Sequence, residues 1–173
     1  MQVSTEAIKV LREQTGAGIM ECKRALQESG GDVKKAADML KQRGYAMAKK
    51  KESRVVGQGL VEAYVHGGGR IGALVELNCE SDFVARTPEF KELAHDLAMQ
   101  VVARKPRFVR REEVPQGEEA ADEDCLLLQP FIRDPAKKVQ DIVTETVAKV
   151  RENIKVRRFV RFELGSNGQD EQS

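Results

Sequence analysis

The chain has 173 residues, which is enough for one ordinary domain or two small ones with a buried core. Its 29 Lys and Arg almost balance its 28 Asp and Glu, so no overall charge draws it to nucleic acid or to a membrane surface. Three separated cysteines, two histidines and no CxxC pair argue against a zinc site and a disulfide framework, and no run approaches the ~18 apolar residues of a membrane span. We therefore expect a cytoplasmic protein without a metal, a cofactor or a membrane contact.

The N-terminal quarter of the chain predicts three short helices. Apolar residues recur at helical spacing in three segments separated by glycine-containing turns. These residues are Ile8 and Leu11, then Ile19, Cys22, Ala25 and Leu26, then Val33, Ala36, Ala37 and Leu40. A bundle of this size is marginal alone, so we expect residues 1–44 to form a docking domain without chemistry of its own. Residues 45–56 are rich in lysine and predict a basic linker, helical or flexible, with a solvated face.

The segment 71–86 reads IGALVELNCESDFVAR and changes character at its middle. Its first half is typical of a strand with one buried face, which pairs with residues 60–65 across the turn HGGGR at 66–70 to form a hairpin. Its second half is a polar turn that begins a short helix and carries Phe83 past the end of the strand. The local pattern favours burial of Phe83 in the protein's own core, although an aromatic residue at such a place also suits contact with another molecule.

The remaining segments complete a mixed fold. Residues 87–101 predict an amphipathic helix, and a second helix, capped by Asp134 and Pro135, is expected to run to Val150. The last strand has Phe159 on its charged side, and its other side comprises Ile154, Val156, Arg158, Val160, Phe162 and Leu164, with Arg158 as the odd member. The sequence thus predicts an α+β fold: the three-helix head, then an antiparallel three-stranded sheet core at 57–165 covered by helices, then a disordered tail at 166–173.

The pattern of polar residues does not assemble a catalytic site. The HGGG string at 66–69 resembles the oxyanion loop of some esterases, but the sequence contains no GxSxG elbow and no apparent nucleophile for His95. The residues themselves therefore predict a protein that works by binding and is not an enzyme. An RNA- or ribosome-binding protein is the alternative, through the basic cluster from Arg104 to Arg111, although the acidic run that follows this cluster would repel phosphate.

Four motifs carry a resemblance to a known family. They are LREQTGAGIMECKRAL at 11–26, VELNCESDFVAR at 75–86, LLLQPF at 126–131 and ENIKVRRFVRFELG at 152–165. Together they resemble bacterial elongation factor Ts, in the same order and over nearly the whole chain. The resemblance implies a guanine-nucleotide exchange factor for elongation factor Tu, with a head similar to a ubiquitin-associated domain and no direct contact with nucleic acid.

The resemblance also implies which residues contact that partner. The matching positions on the head are Arg12, Ile19, Met20 and Lys23. The family's TDFV motif appears here as Ser81, Asp82, Phe83 and Val84. Asp82 and Phe83 are the pair that enters the partner, so the resemblance, unlike the local periodicity, implies that Phe83 faces outwards.

The sequence departs from the family at two places. Arg151 stands where the family usually has a glycine, so the resemblance does not carry the family's contacts at that corner over to this chain. Between Val114 and Leu126 the chain is short, because the family commonly carries a helical hairpin there. Longer members of the family also duplicate the sheet core, whereas short relatives form homodimers. We therefore expect this single-core chain to form a homodimer.

Overall fold

The computed structural model describes residues 3–166 and confirms the α+β class. Helices come first, and an antiparallel sheet with further helices follows. The predicted disordered tail at 166–173 lies, apart from Ser166, outside the described residues.

Three helices form the head: α1 (Thr5–Thr15), α2 (Ile19–Glu28) and α3 (Val33–Lys51). The Ser4 hydroxyl caps α1 by accepting a hydrogen bond from the Ala7 N–H at 3.1 Å, and Asp32 caps α3 by accepting from the Lys35 N–H at 3.0 Å. The three helices enclose a small core in which the largest side chains are Leu11 and Leu26, with Cys22, Ala25 and Ala36 beside them. The predicted apolar spacing thus produces the predicted bundle.

Between residues 58 and 163 the chain forms five strands and three α-helices, together with three short 3-10 helices. The strands are β1 (Gln58–His66), β2 (Ile71–Cys79), β3 (Pro130–Phe131), β4 (Asp134–Lys138) and β5 (Ile154–Glu163). The helices are α4 (Asp82–Ala85), α5 (Pro88–Arg104) and α6 (Val139–Val150). The main sheet has the order β1-β2-β5 and is antiparallel throughout, while β3 and β4 form a separate two-stranded ribbon.

The main sheet buries one face against α5. Val75 and Leu77 of β2 have no exposed surface, and Phe90 and Leu97 of α5 belong to the same core cluster. The turn between β1 and β2 has three successive glycines with φ values of 63°, 67° and 87° at positions 67–69. Because residues with a Cβ rarely adopt these angles, the glycine run is explained by the turn.

The third helix is longer than the predicted head. It continues to Lys51, within the stretch 45–56 that the sequence left open as helical or flexible. Gly44 is buried in the middle of this helix, where a Cβ would lie 3.5 Å from Cβ of Ala148 on α6. That distance is an ordinary van der Waals contact, so the site would also accept an alanine. The helix α3 packs along α6 and thereby connects the head to the sheet domain.

The predicted start of the sixth helix was wrong. Asp134 and Pro135 belong to strand β4, and the helix begins at Val139. Asp134 accepts a hydrogen bond from the Ala136 N–H at 3.2 Å, which is a turn contact two residues ahead. The helix is instead capped by Asp141, whose carboxylate accepts from the Lys138 N–H at 2.9 Å.

The prediction of which side chains of the last strand face the core was wrong beyond residue 156. Leu77 pairs with Val156 and Glu76 pairs with Arg158, so Arg157 is an extra residue in a β-bulge. Beyond the bulge the side chains exchange faces: Phe159 packs against the main core, and Phe162 is 56% exposed on the opposite face. Strict alternation cannot reveal such a bulge from the sequence.

Candidate functional site

A short turn and helix at the end of β2 carry the first group of candidate residues. We call residues 81–84 the tip. The Ser81 hydroxyl caps α4 by accepting a hydrogen bond from the Val84 N–H at 3.3 Å. Phe83 is 77% exposed, whereas Val84 and Ala85 are buried in the main core. The burial of Phe83 favoured by the local pattern is therefore wrong, and the outward position implied by the resemblance is confirmed.

Asp82 stands beside Phe83 on the first turn of the same helix. Its carboxylate accepts a hydrogen bond from the Arg86 guanidinium at 2.7 Å, one helical turn further on. Both side chains are well exposed, so the pair contributes little to folding stability.

The strand behind the tip ends in a buried residue. Cys79, its last residue, is fully buried and donates a hydrogen bond from Sγ to the Ser81 carbonyl oxygen at 3.1 Å. Burial, aided by the negative charge of Glu152, raises the pKa of the Cys79 thiol to about 11. The thiol therefore stays protonated at neutral pH and acts as a hydrogen-bond donor, not as a nucleophile.

Two residues that hold the tip were not singled out from the sequence. Glu152 accepts hydrogen bonds from the Ser81 N–H at 2.9 Å and from the Ser81 hydroxyl at 2.6 Å. Asn153 donates from its backbone N–H to the Glu80 carboxylate at 2.7 Å. Both contacts join positions more than 70 residues apart in the chain, so periodicity gives no sign of them. The ENIKV motif at 152–156 was the available signal, but the motif alone assigns no role to either side chain.

The second group of candidate residues lies on the head. Met20 is 68% exposed and Ile19 is 55% exposed at the start of α2. Arg12 on α1 and Lys23 on α2 are exposed as well. The head thus presents an apolar patch flanked by two positive charges, which is a pattern suited to contact with a partner protein.

The tip and the head patch are separate surfaces. Among residues 3–166, no hydrogen bond or ion pair joins Ser81–Val84 directly to Arg12, Ile19, Met20 or Lys23. The two surfaces are connected through other residues. Arg151 forms an ion pair with Glu21 of α2 at 3.3 Å, and its carbonyl oxygen accepts from the Lys51 ammonium at 2.7 Å.

The basic cluster from Arg104 to Arg111 is largely neutralised within the protein. Arg107 forms an ion pair with Glu118, and Arg111 forms one with Asp122. The ion pairs of Lys105 with Glu163 and of Arg110 with Glu113 measure 2.9 Å and 3.3 Å. The acidic run that follows the cluster thus folds back onto it. This arrangement disfavours the alternative of an RNA-binding surface at these arginines, because phosphate would have to displace the carboxylates.

The two histidines lie on either side of the Tyr64 ring, beside the edge strand β1. His95 Nδ1 is 3.1 Å from Glu62 Oε1, His66 Nδ1 is 3.0 Å from the Tyr64 hydroxyl, and the Tyr64 ring lies against both imidazoles. Within residues 3–166, no serine or cysteine is hydrogen-bonded to either imidazole, so the cluster lacks the nucleophile of the esterases whose oxyanion loop the HGGG string resembles. Across residues 3–166, no group of three or more His, Cys, Asp or Glu side chains is arranged to hold a metal ion. None of the helices in that range is long and apolar enough to cross a membrane.

The fold and the site define an α+β protein that presents an exposed aromatic residue on a braced tip and an apolar patch on a helical head. The family model of elongation factor Ts matches residues 2–122. Elongation factor Ts of Heliobacterium modesticaldum is 52% identical to this chain, and the alignment covers 94% of this chain and 90% of the relative. Elongation factor Ts of Carboxydothermus hydrogenoformans is 50% identical, with 94% of this chain and 89% of the relative covered. The chain belongs to the elongation factor Ts family, whose members are translation elongation factors.

The relatives carry residues that this chain lacks. Elongation factor Ts of Thermotoga neapolitana is 47% identical, with 97% of this chain and 100% of the relative covered. That alignment runs over 197 positions and the other two over 194, although this chain has only 173 residues. The match to the family model ends at residue 122. The alignment lengths fit the expectation of a shortened chain, while the place of the missing residues between Val114 and Leu126 stays a prediction.

Proposed function

We propose that this protein is the guanine-nucleotide exchange factor of elongation factor Tu and that the tip performs the exchange. The exposure of Phe83 is the observation that carries the proposal. A phenylalanine that is 77% exposed in the free protein gains most of its burial energy only when a partner covers it. The membership of the chain in the elongation factor Ts family supports the identity of that partner.

The proposed mechanism needs no contact between the factor and the nucleotide. A GTPase holds GDP largely through charge, by a magnesium ion and by backbone amides at a helix N-terminus. In our proposal Phe83 enters between helices of the partner, and Asp82 accompanies it. This shifts the elements that position magnesium and phosphate, so that GDP leaves. The factor makes and breaks no covalent bond in this scheme.

The head supplies a second contact in this proposal. Ile19 and Met20 provide apolar area, and Arg12 and Lys23 provide positive charge at its edge. Charged residues at the rim of an interface mainly set the rate and the orientation of association, while the apolar centre sets the lifetime of the complex. We therefore assign docking to the head and nucleotide release to the tip, and we place this function in the cytoplasm, in keeping with three cysteines that are buried and free of disulfides.

Release of a fluorescent GDP from purified elongation factor Tu tests the proposal. The protein is expected to accelerate release at catalytic concentrations, and GTP is expected to dissociate the complex of the two proteins. Because coupling between two ligands is reciprocal, GDP must weaken the binding of the factor by the same ratio by which the factor weakens the binding of GDP. Unchanged release over a range of factor concentrations would disprove the exchange function.

We also infer that the chain forms a homodimer through the outer face of the main sheet. Two neighbouring cross-strand rows on this face are apolar or glycine: Val65, Gly72 and Phe162 in one row, and Ala63, Leu74 and Val160 in the next. Val65, Leu74 and Phe162 are among the exposed large hydrophobic residues. A second copy of the same face is a suitable cover, since a twofold interface pairs one patch with itself.

Sedimentation equilibrium of the free protein tests this inference. The chain is expected to sediment as a dimer, and Phe162→Glu is expected to give a monomer, because the new charge would be buried in the interface. A control substitution must leave this face undisturbed, which rules out Glu76→Lys, since Glu76 forms an ion pair with Arg158 on the same face. Lys91→Glu on α5 is a better one, because Lys91 is exposed and lies away from that face. A wild-type monomer at micromolar concentration would contradict the inference.

A further inference from the structure

We propose that Glu152 is a positioning residue of the exchange function, because it fixes the tip to the segment that follows α6. This inference rests on the proposed exchange function. Glu152 takes no part in any contact expected of the partner, and it lies 71 residues from the residue that it holds. Its effect on exchange therefore passes through Ser81.

The contact between Glu152 and Ser81 is bidentate. One carboxylate oxygen accepts from the Ser81 backbone N–H at 2.9 Å, and the other accepts from the Ser81 hydroxyl at 2.6 Å. Both bonds involve a charged acceptor and are partly buried, which makes them stronger than neutral hydrogen bonds at the surface. Two bonds to one residue also fix its orientation, and this residue is the N-cap from which the helix of Phe83 starts.

The segment that carries Glu152 is itself held firmly. Asn153 is buried, and its side-chain amide donates to the carbonyl oxygens of Glu52 at 3.3 Å and Arg54 at 2.9 Å, just after the end of α3. Its backbone N–H donates to Glu80, the residue before the tip, at 2.7 Å. The adjacent residues Glu152 and Asn153 therefore contact both the segment after α3 and the start of the tip.

This connection gives the two proposed contact surfaces a fixed relation. The head patch and the tip do not touch, so their separation and angle depend on the structure between them. Pre-organisation of two surfaces lowers the entropy cost of engaging both at once. In this scheme loss of Glu152 leaves the head able to dock but leaves Phe83 poorly aimed.

The first experiment measures the position of the tip without the partner. The chain contains no tryptophan, so Phe83→Trp introduces a single indole at the tip. Time-resolved fluorescence anisotropy of this variant is expected to report slow motion of the ring, and the addition of Glu152→Ala is expected to introduce a fast component. Glu152→Gln is expected to restore the slow motion, because its amide oxygen can accept from the Ser81 N–H and its amide nitrogen can donate to the Ser81 hydroxyl.

The second experiment measures GDP release as a function of factor concentration. Glu152→Ala is expected to lower the maximal rate about tenfold, because a bidentate contact to a charge is lost, and to change the half-saturating concentration by less than about twofold, because the head still docks. Glu152→Gln is expected to recover most of the rate. Glu145→Ala is the matched control, because it removes a carboxylate paired with Lys137 at 2.9 Å away from the tip.

Different results overturn different claims. A wild-type protein that does not accelerate GDP release would refute the exchange function, while the anisotropy experiment would still test the role of Glu152. Unchanged anisotropy and an unchanged maximal rate for Glu152→Ala would refute the positioning role alone. If Glu152→Ala lost both its maximal rate of GDP release and its folded structure by circular dichroism, Glu152→Gln would be compared with the wild type in both experiments. That comparison would then test the positioning role. A folded Glu152→Gln protein with a mobile ring but a wild-type maximal rate would also refute the role, because exchange would then not need a fixed tip.

Discussion

The substitution Phe83→Ala distinguishes two roles of Phe83: contact with a partner protein and stabilisation of the protein's own fold. The ring is 77% exposed, so about a quarter of its surface, roughly 50 Å², is shielded in the free protein. At about 25 cal/mol per Å², truncation is expected to cost the fold only about 1 kcal/mol. The melting temperature measured by circular dichroism should therefore fall by about 2–4 °C for a chain of this size.

The same substitution is expected to have a much larger effect on exchange. If the partner covers the remaining surface, roughly 150 Å², the ring contributes about 3–4 kcal/mol to the complex. If about 3 kcal/mol of this is used in displacing GDP, release at saturating factor is expected to slow by about a hundredfold. Stopped-flow release of a fluorescent GDP measures this rate directly.

Two control variants make the result interpretable. Phe90→Ala removes a fully buried ring of α5 and is expected to cost the fold about 3–5 kcal/mol. Leu164→Ala truncates a side chain that is as exposed as Phe83 and lies outside the tip, so exchange should be nearly unchanged. The reasoning fails if Phe83→Ala destabilises the protein as Phe90→Ala does, or if it exchanges as fast as Leu164→Ala.

Three further substitutions test local features of the fold. Arg151→Gly should raise the free energy of unfolding in urea by up to about 1 kcal/mol, because Arg151 has a φ of 60° that favours glycine and its exposed ion pair with Glu21 contributes little. Gly68→Ala, at φ 67°, should lower that free energy by about 1–2 kcal/mol. The hydrogen bond from Arg158 lowers the pKa of Glu76, so its contribution to stability is present above the ordinary pKa and is lost as the pH falls through the lowered value. Glu76→Gln should therefore destabilise the protein slightly at pH 7 and not at pH 2, and equal effects at both values would contradict this sign.

The elements with clear periodicity could be predicted from the sequence. The head helices follow from apolar residues three and four apart, and the β1–β2 hairpin follows from alternation on either side of three glycines. The outward position of Phe83 could not be obtained in this way, because one turn of helix is too short to define a buried face. Only the resemblance of ESDFVAR to a family motif indicated it.

Other features depend on contacts between distant parts of the chain. The helix α3 packs against α6, and Glu152 binds Ser81. Neither pair is marked by spacing along the chain. Asp134 followed by proline is a common helix start, yet here pairing with β3 draws the residue into a strand. Tertiary contacts therefore override the local preference at this position.

The bulge in β5 divides that strand into two parts with opposite phase. Ile154 and Val156 follow one phase, and Phe159 follows the other, with Arg157 absorbing the difference. Deletion of one residue from a strand normally turns all later side chains over. Here deletion of Arg157 would regularise the pairing and leave the neighbouring side chains on their present faces. The same deletion at Arg161 would instead turn Phe162 inward, so tolerance to single-residue deletions in this strand should be confined to the bulge.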